Sequence, residues 1–171
     1  YFRQQTRETK WQSLMSDLSY NEPIVSLSMV NTLTSPNYIT PEIEKKIYFI
    51  KGTLLKRLNR TQEMLCAFED AVKFGDPLAD YALLELAKYY FKAGKYDASY
   101  KYAANVINQY PDSLIIDEAL LICAKIQNSR SNKNNYNVFE LIKKDINNAE
   151  TAYNIAELYY KNGKYLKAQE Y

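Results

Sequence analysis

The chain has 171 residues, of which 47% are hydrophobic and 25% charged; that mixture builds a core and excludes wholesale disorder. Its 22 Lys plus Arg against 20 Asp plus Glu leave a formal charge of +2, too balanced for the broad basic footprint of a nucleic-acid binder. Histidine is absent, which removes the commonest general base and metal ligand near neutral pH.

Only four glycines and five prolines occur, which suits long helices joined by short turns. In residues 1–36, Trp11, Leu14, Met15 and Leu18, then Ile24, Leu27, Val30 and Leu33, recur at helical spacing and predict a diverged hairpin that ends near Pro36. The segment "SPNYITP" connects it to the next unit, residues 41–77. There "KIYFIKGTLLKRLNR" places Tyr48, Gly52 and Leu55 on one stripe, and a second helix carries Met64, Phe68 and Ala71 before Asp76-Pro77.

Residues 78–112 give the clearest unit. Leu83, Leu86, Ala87 and Tyr90 share a helix face, and Gly94 ends that helix as a C-terminal cap. Tyr96, Ser99, Tyr100, Ala103, Val106, Ile107 and Tyr110 then continue at helical spacing until "YPDS", where Pro111 stops them. In residues 113–148, "EALLICAKIQ" repeats "YALLELAKYY", and Ala119 follows Ala82 by 37 positions. The polar run "NSRSNKNNYN" at 128–137 is expected to lengthen the turn of this unit on the surface. Residues 149–171 repeat the pattern once more, with Ile155, Ala156 and Tyr159 in the places of Leu86, Ala87 and Tyr90, and Gly163 standing 69 positions after Gly94.

A hairpin of about 34 residues exposes an apolar face that it cannot cover alone, so these units are expected to stack. Their tyrosines read as architecture, each ring burying apolar area while its hydroxyl reaches the rim. Cys66 and Cys123 have no metal-ligand spacing and read as buried free thiols. No run is apolar and long enough for a membrane span, and "YFRQQTRETK" lacks the apolar core of a signal peptide. The chain does not begin with Met, and it reads as a region of a longer polypeptide whose last helix is truncated.

This pattern resembles the tetratricopeptide repeat (TPR) family. Gly52, Ala87, Ala124 and Ala156 occupy the first small position of its signature, Ser99 and Ala168 the second, Ala71 the third with Val106 as a bulkier stand-in, and Pro111 the closing proline. Met64 stands at the second small position, Ala103 replaces the aromatic, Ala152 replaces the large residue, and the third unit lacks its glycine turn. The resemblance implies an all-α fold, a right-handed α-α superhelix (solenoid) of about five hairpins. "YFKAGKYDASYKYAANVINQYPDS" also looks like bacterial cell-envelope TPR proteins, which makes a periplasmic or cell-envelope location the expectation.

A TPR array offers a concave groove lined by its first helices. By analogy with the family, the groove positions are Phe49, Thr53 and Lys56, then Leu84, Lys88 and Phe91, then Leu121, Lys125 and Asn128, and last Tyr153, Glu157 and Tyr160. With Arg57 and Lys92 they suggest a mildly basic, aromatic groove for a peptide carrying carboxylates and an apolar anchor. The family's carboxylate clamp is not reproduced, because Thr53, Lys88, Lys125 and Glu157 stand where its first asparagine belongs.

No catalytic constellation, phosphate loop, metal site or cofactor motif is legible, and the carboxylate pairs Glu69-Asp70 and Asp117-Glu118 read as solvated helix faces or as charge at a helix N-terminus. The expected function is non-enzymatic protein–protein interaction or assembly on the groove, with self-association through the end of the array as a further possibility. The alternative is the helical accessory region of a larger cell-wall enzyme such as a lytic transglycosylase.

Overall fold

The structure, a computed structural model, describes residues 12, 13, 16, 22–34, 40–129, 141 and 148–171. Among those residues all regular structure is helical. The order is α1 (Pro23–Leu33), α2 (Pro41–Arg57), α3 (Thr61–Lys73), α4 (Ala79–Lys92), α5 (Tyr96–Gln109), α6 (Ile116–Ser129), α7 (Ala149–Lys161) and α8 (Tyr165–Ala168). No described helix is long and apolar enough to cross a membrane. The chain divides into two compact units, residues 1–82 and 83–171, and the division falls inside α4.

In the first unit, α1 packs on α2 and α2 on α3. Pro23 opens α1 where a missing N–H costs nothing. Leu27, Val30 and Leu33 are buried but Ile24 is 56% exposed. The expected stripe therefore loses its first member: steps of three residues lag the helical turn by about 60° each and carry Ile24 round to solvent. Gln12, Ser13 and Ser16 are helical, while Trp11, Leu14, Met15 and Leu18 lie outside the described residues, as does most of "SPNYITP".

Thr40 caps α2, its hydroxyl oxygen accepting the Ile43 N–H at 3.3 Å, with Pro41 opening the helix. Between α2 and α3 the chain turns through Asn59 at φ 56°, and the Arg60 N–H donates to the Leu55 carbonyl at 3.0 Å. A left-handed residue followed by this backward bond closes a helix C-terminus. Ile47, Leu54, Leu55, Phe68 and Ala71 form the buried seam of the hairpin. Asp76 is buried beyond it and ties α2 to the next turn, its carboxylate accepting the Phe49 N–H at 3.2 Å and the Leu78 N–H at 2.8 Å. Burial pushes this carboxyl above its ordinary value, against the opposing pull of the two N–H donors.

The second unit uses the same turn twice. Gly94 (φ 70°) and Gly163 (φ 72°) take the left-handed position, and Lys95 and Lys164 donate back to Tyr90 and Tyr159 at 2.9 and 3.0 Å. The ring contacts repeat as well. Tyr90 stacks on Tyr102 at 5.5 Å and Tyr159 on Tyr171 at 5.7 Å, while Phe91 meets Tyr96 edge-on at 5.6 Å and Tyr160 meets Tyr165 at 5.3 Å. Each member of the second set stands 69 positions after its counterpart in the first. Within the α4–α5 hairpin the buried Ser99 hydroxyl donates to the Ala87 carbonyl at 2.8 Å, a bond that two small residues permit by letting the helices close up.

α6 packs against both α5 and α7, and α8 packs on α7. Asn148 caps α7 by accepting the Thr151 N–H at 3.0 Å, and the Thr151 hydroxyl reaches the Asp117 carbonyl of α6 at 3.2 Å. Asn128 and Ser129 still belong to α6, so the polar run expected to form a turn begins within the helix; its remainder lies outside the described residues. Cys123 is buried as expected, but Cys66 is exposed on α3, because it falls on the side of the helix away from Met64, Phe68 and Ala71.

Candidate functional site

The first helices of the second unit share one lateral arrangement. Lys88, one past the buried Ala87, meets Glu118 at 2.5 Å, and Lys125, one past the buried Ala124, meets Glu150 at 2.7 Å. Glu118 and Glu150 each stand six positions before the small residue of the following unit, Ala124 and Ala156. The two pairs are therefore one contact made twice, α4 to α6 and α6 to α7. Asn128, one turn beyond Lys125, extends it by donating to the Asn154 carbonyl and to Glu157 Oε2, both at 3.2 Å.

The ion pairs correct the expectation of a basic face. Lys88 and Lys125 each lie against a carboxylate, so this part of the surface is charge-matched, and its pull on an acidic peptide is correspondingly reduced. Asp117 and Glu118 stand in the first turn of α6, and Glu118, still half-exposed, also joins two helices. Leu84 is 3% exposed and belongs to the core. Leu121 and Phe91 are half-buried, and Lys92 is exposed at the end of α4.

In the first unit the predicted positions do different work. The Phe49 ring packs on Phe68 at 5.7 Å and Tyr81 at 6.3 Å. Thr53 is exposed and donates its hydroxyl to the Phe49 carbonyl at 3.0 Å, a bond within its own helix. Lys56 and Arg57 are exposed in the last turn of α2, where positive charge complements the helix dipole.

The remaining predicted residues converge. Tyr153, Glu157 and Tyr160 from α7, with Ala156, join Tyr165, Ala168 and Gln169 around an open cleft of about 420 Å³. Tyr153, Tyr160 and Tyr165 are 68%, 65% and 60% exposed, a rare display for side chains of this size. Glu157 sits at the centre, its carboxylate bound by Lys161 at 2.8 Å and by Asn128 at 3.2 Å. Tyr165 and Gln169 are not among the groove positions that the sequence predicts. The signal that finds them is the 69-position offset, which puts Tyr165 where Tyr96 meets Phe91 and Gln169 where Tyr100 stands.

The cleft offers aromatic area and one carboxylate. Among the described residues no cluster of Cys, Asp and Glu is arranged to hold a metal ion. A scan of the chain against protein-family models matches none, and a search of curated proteins returns no match.

Proposed function

We propose that the chain is a non-enzymatic protein-binding or assembly module, its hairpins TPR-like and stacked as a right-handed solenoid. One observation carries this: the lateral contact between consecutive first helices is made twice with the same residue positions, Lys88 with Glu118 and Lys125 with Glu150. Such a register lines up one face of α4, α6 and α7 and leaves it half-exposed, polar along its length and aromatic at its end. A rigid face of that composition suits a polypeptide, with tyrosines as anchors and polar groups for orientation. It lacks the positive charge that nucleic acid requires.

The test is site-specific photo-cross-linking in extract of the source cell. A photoreactive residue at Lys92, beside the stripe, is expected to trap a discrete partner; the same residue at Lys101, exposed on α5, is expected to trap none. Equal labelling from both positions, or labelling from neither, overturns the proposal.

A further inference from the structure

Asn162-Gly163 is the single Asn-Gly pair in the chain, the other glycines following Lys51, Phe74 and Ala93. Asparagine before glycine loses its side-chain amide most readily, because a residue without Cβ leaves its backbone nitrogen open to attack the asparagine Cγ. The pair closes α7, with Asn162 as its cap at ψ 11° and Gly163 in the left-handed position at φ 72°. Both residues are exposed to water, as are Ala93 and Gly94 of the equivalent turn in the interior of the chain. The fold nevertheless holds the reacting groups apart. The Gly163 N–H donates to the Tyr160 carbonyl at 2.9 Å, and Asn162 Nδ2 donates to the Leu158 carbonyl at 2.8 Å. Ring closure needs the Gly163 nitrogen to swing round until it eclipses the Asn162 Cβ, a ψ far from 11° and outside the main allowed regions. Those two bonds must break first, together with the one from the Lys164 N–H to the Tyr159 carbonyl at 3.0 Å.

We infer that Asn162 is a spontaneous modification site gated by this turn: opening of the turn lets it deamidate, and deamidation then keeps α8 from latching back onto α7. In the first step the Gly163 nitrogen gives its proton to solvent and bonds to Cγ, and the Cγ–Nδ2 bond breaks to release ammonia, leaving a cyclic imide. Water then opens the imide at either carbonyl, giving aspartate or isoaspartate. The net change is one water consumed and one ammonia released, with no oxidant or reductant. An aspartate lacks the donor to the Leu158 carbonyl and sets negative charge at the C-terminal end of α7, where the helix dipole opposes it. An isoaspartate routes the backbone through Cβ. It lengthens the path between the Tyr159 and Tyr160 carbonyls and their Lys164 and Gly163 donors, so the closing bonds lose their spacing. The Gly94 turn is immune, since Ala93 has no amide to lose. The reaction needs no partner and is independent of what the face of α4, α6 and α7 binds.

The experiment ages the 171-residue chain at mildly alkaline pH, with and without urea, and follows residue 162 by peptide mass mapping. Conversion is expected to be at least about tenfold slower in the folded chain, where local opening of the turn limits it. Lys164→Pro removes one closing bond and leaves the Asn-Gly pair intact. It is expected to speed conversion several-fold in the folded chain and to leave the rate in urea unchanged. In the isolated isoaspartyl form the Lys164 amide is expected to exchange its hydrogen faster than before, whereas the Lys95 amide, which makes the same bond in the equivalent turn, keeps its rate. Equal conversion in the folded and unfolded chain overturns the inference, as does a folded rate indifferent to Lys164→Pro. So does a Lys164 amide that exchanges no faster after conversion.

Discussion

A Cβ added to Gly52 would lie 2.5 Å from Cε1 of Phe68, so α2 and α3 meet through a glycine and a ring that share one space. The ring is fully buried and has nowhere to withdraw. Overpacking of this kind costs about 1–3 kcal/mol, more than the roughly 1 kcal/mol that alanine gains over glycine in a helix. Gly52→Ala is therefore expected to destabilise, and Phe68→Leu to absorb part of the loss. Thermal unfolding of the singles and the double checks this: the double is expected to lose less than the two singles combined. A neutral Gly52→Ala would show that the ring moves aside at little cost.

Asn59 does with a side chain what Gly94 and Gly163 do without one. Asn59→Gly is expected to stabilise the chain by about 0.5–1 kcal/mol by relieving the left-handed backbone, and Gly94→Ala to cost about as much. Urea midpoints at constant slope measure both changes. Destabilisation by Asn59→Gly would mean that its side chain contributes more than its backbone conformation costs.

The two thiols differ in access. Cys66 is exposed, whereas Cys123 is buried and its surroundings push its thiol well above the ordinary value. A thiol-specific reagent is expected to titrate one equivalent in the native chain and a second only in denaturant. Two fast equivalents under native conditions would contradict the burial of Cys123.

Asp76 carries a pH dependence. Its carboxyl is raised in the folded state, so its contribution to stability is fully present below the unfolded value, about 4. That contribution is lost as the pH rises through the higher folded value. The Tm advantage of the wild type over Asp76→Asn is thus expected to shrink from mild acid towards neutrality. A difference that grows with pH would reverse the sign and show that the two N–H donors outweigh burial.

The ion pairs are partly exposed on both sides, and such pairs contribute about 0.2–1 kcal/mol each and fade with salt. Double-mutant cycles on Lys88 with Glu118 and on Lys125 with Glu150 are expected to give coupling of that size at low salt and little at 1 M. Coupling that persists in high salt would point to packing of the lysine stems rather than charge.

The helices were legible because amphipathic spacing and turn residues act locally. Tyr90, Ala87 and Leu83 lie on one face whatever surrounds them, and Gly94 stops the helix through its own backbone freedom. Ile24 shows where spacing misleads, since a run of three-residue steps drifts round the helix. Cys66 shows the same limit at a single residue, its neighbours in sequence being apolar while its side of α3 faces solvent.

By itself the sequence determined the helical class, the turns and the recurring small residues, because each depends on contacts within one hairpin or one turn. Only the tertiary structure decided what the surface offers. Whether Lys88 and Lys125 are open cations or halves of ion pairs depends on glutamates 30 and 25 positions away. Whether a groove position is core, as at Leu84, or open, as at Tyr153, depends on what packs against it through space. Charge and exposure are set by what comes near through space, and a local pattern carries no record of that neighbour.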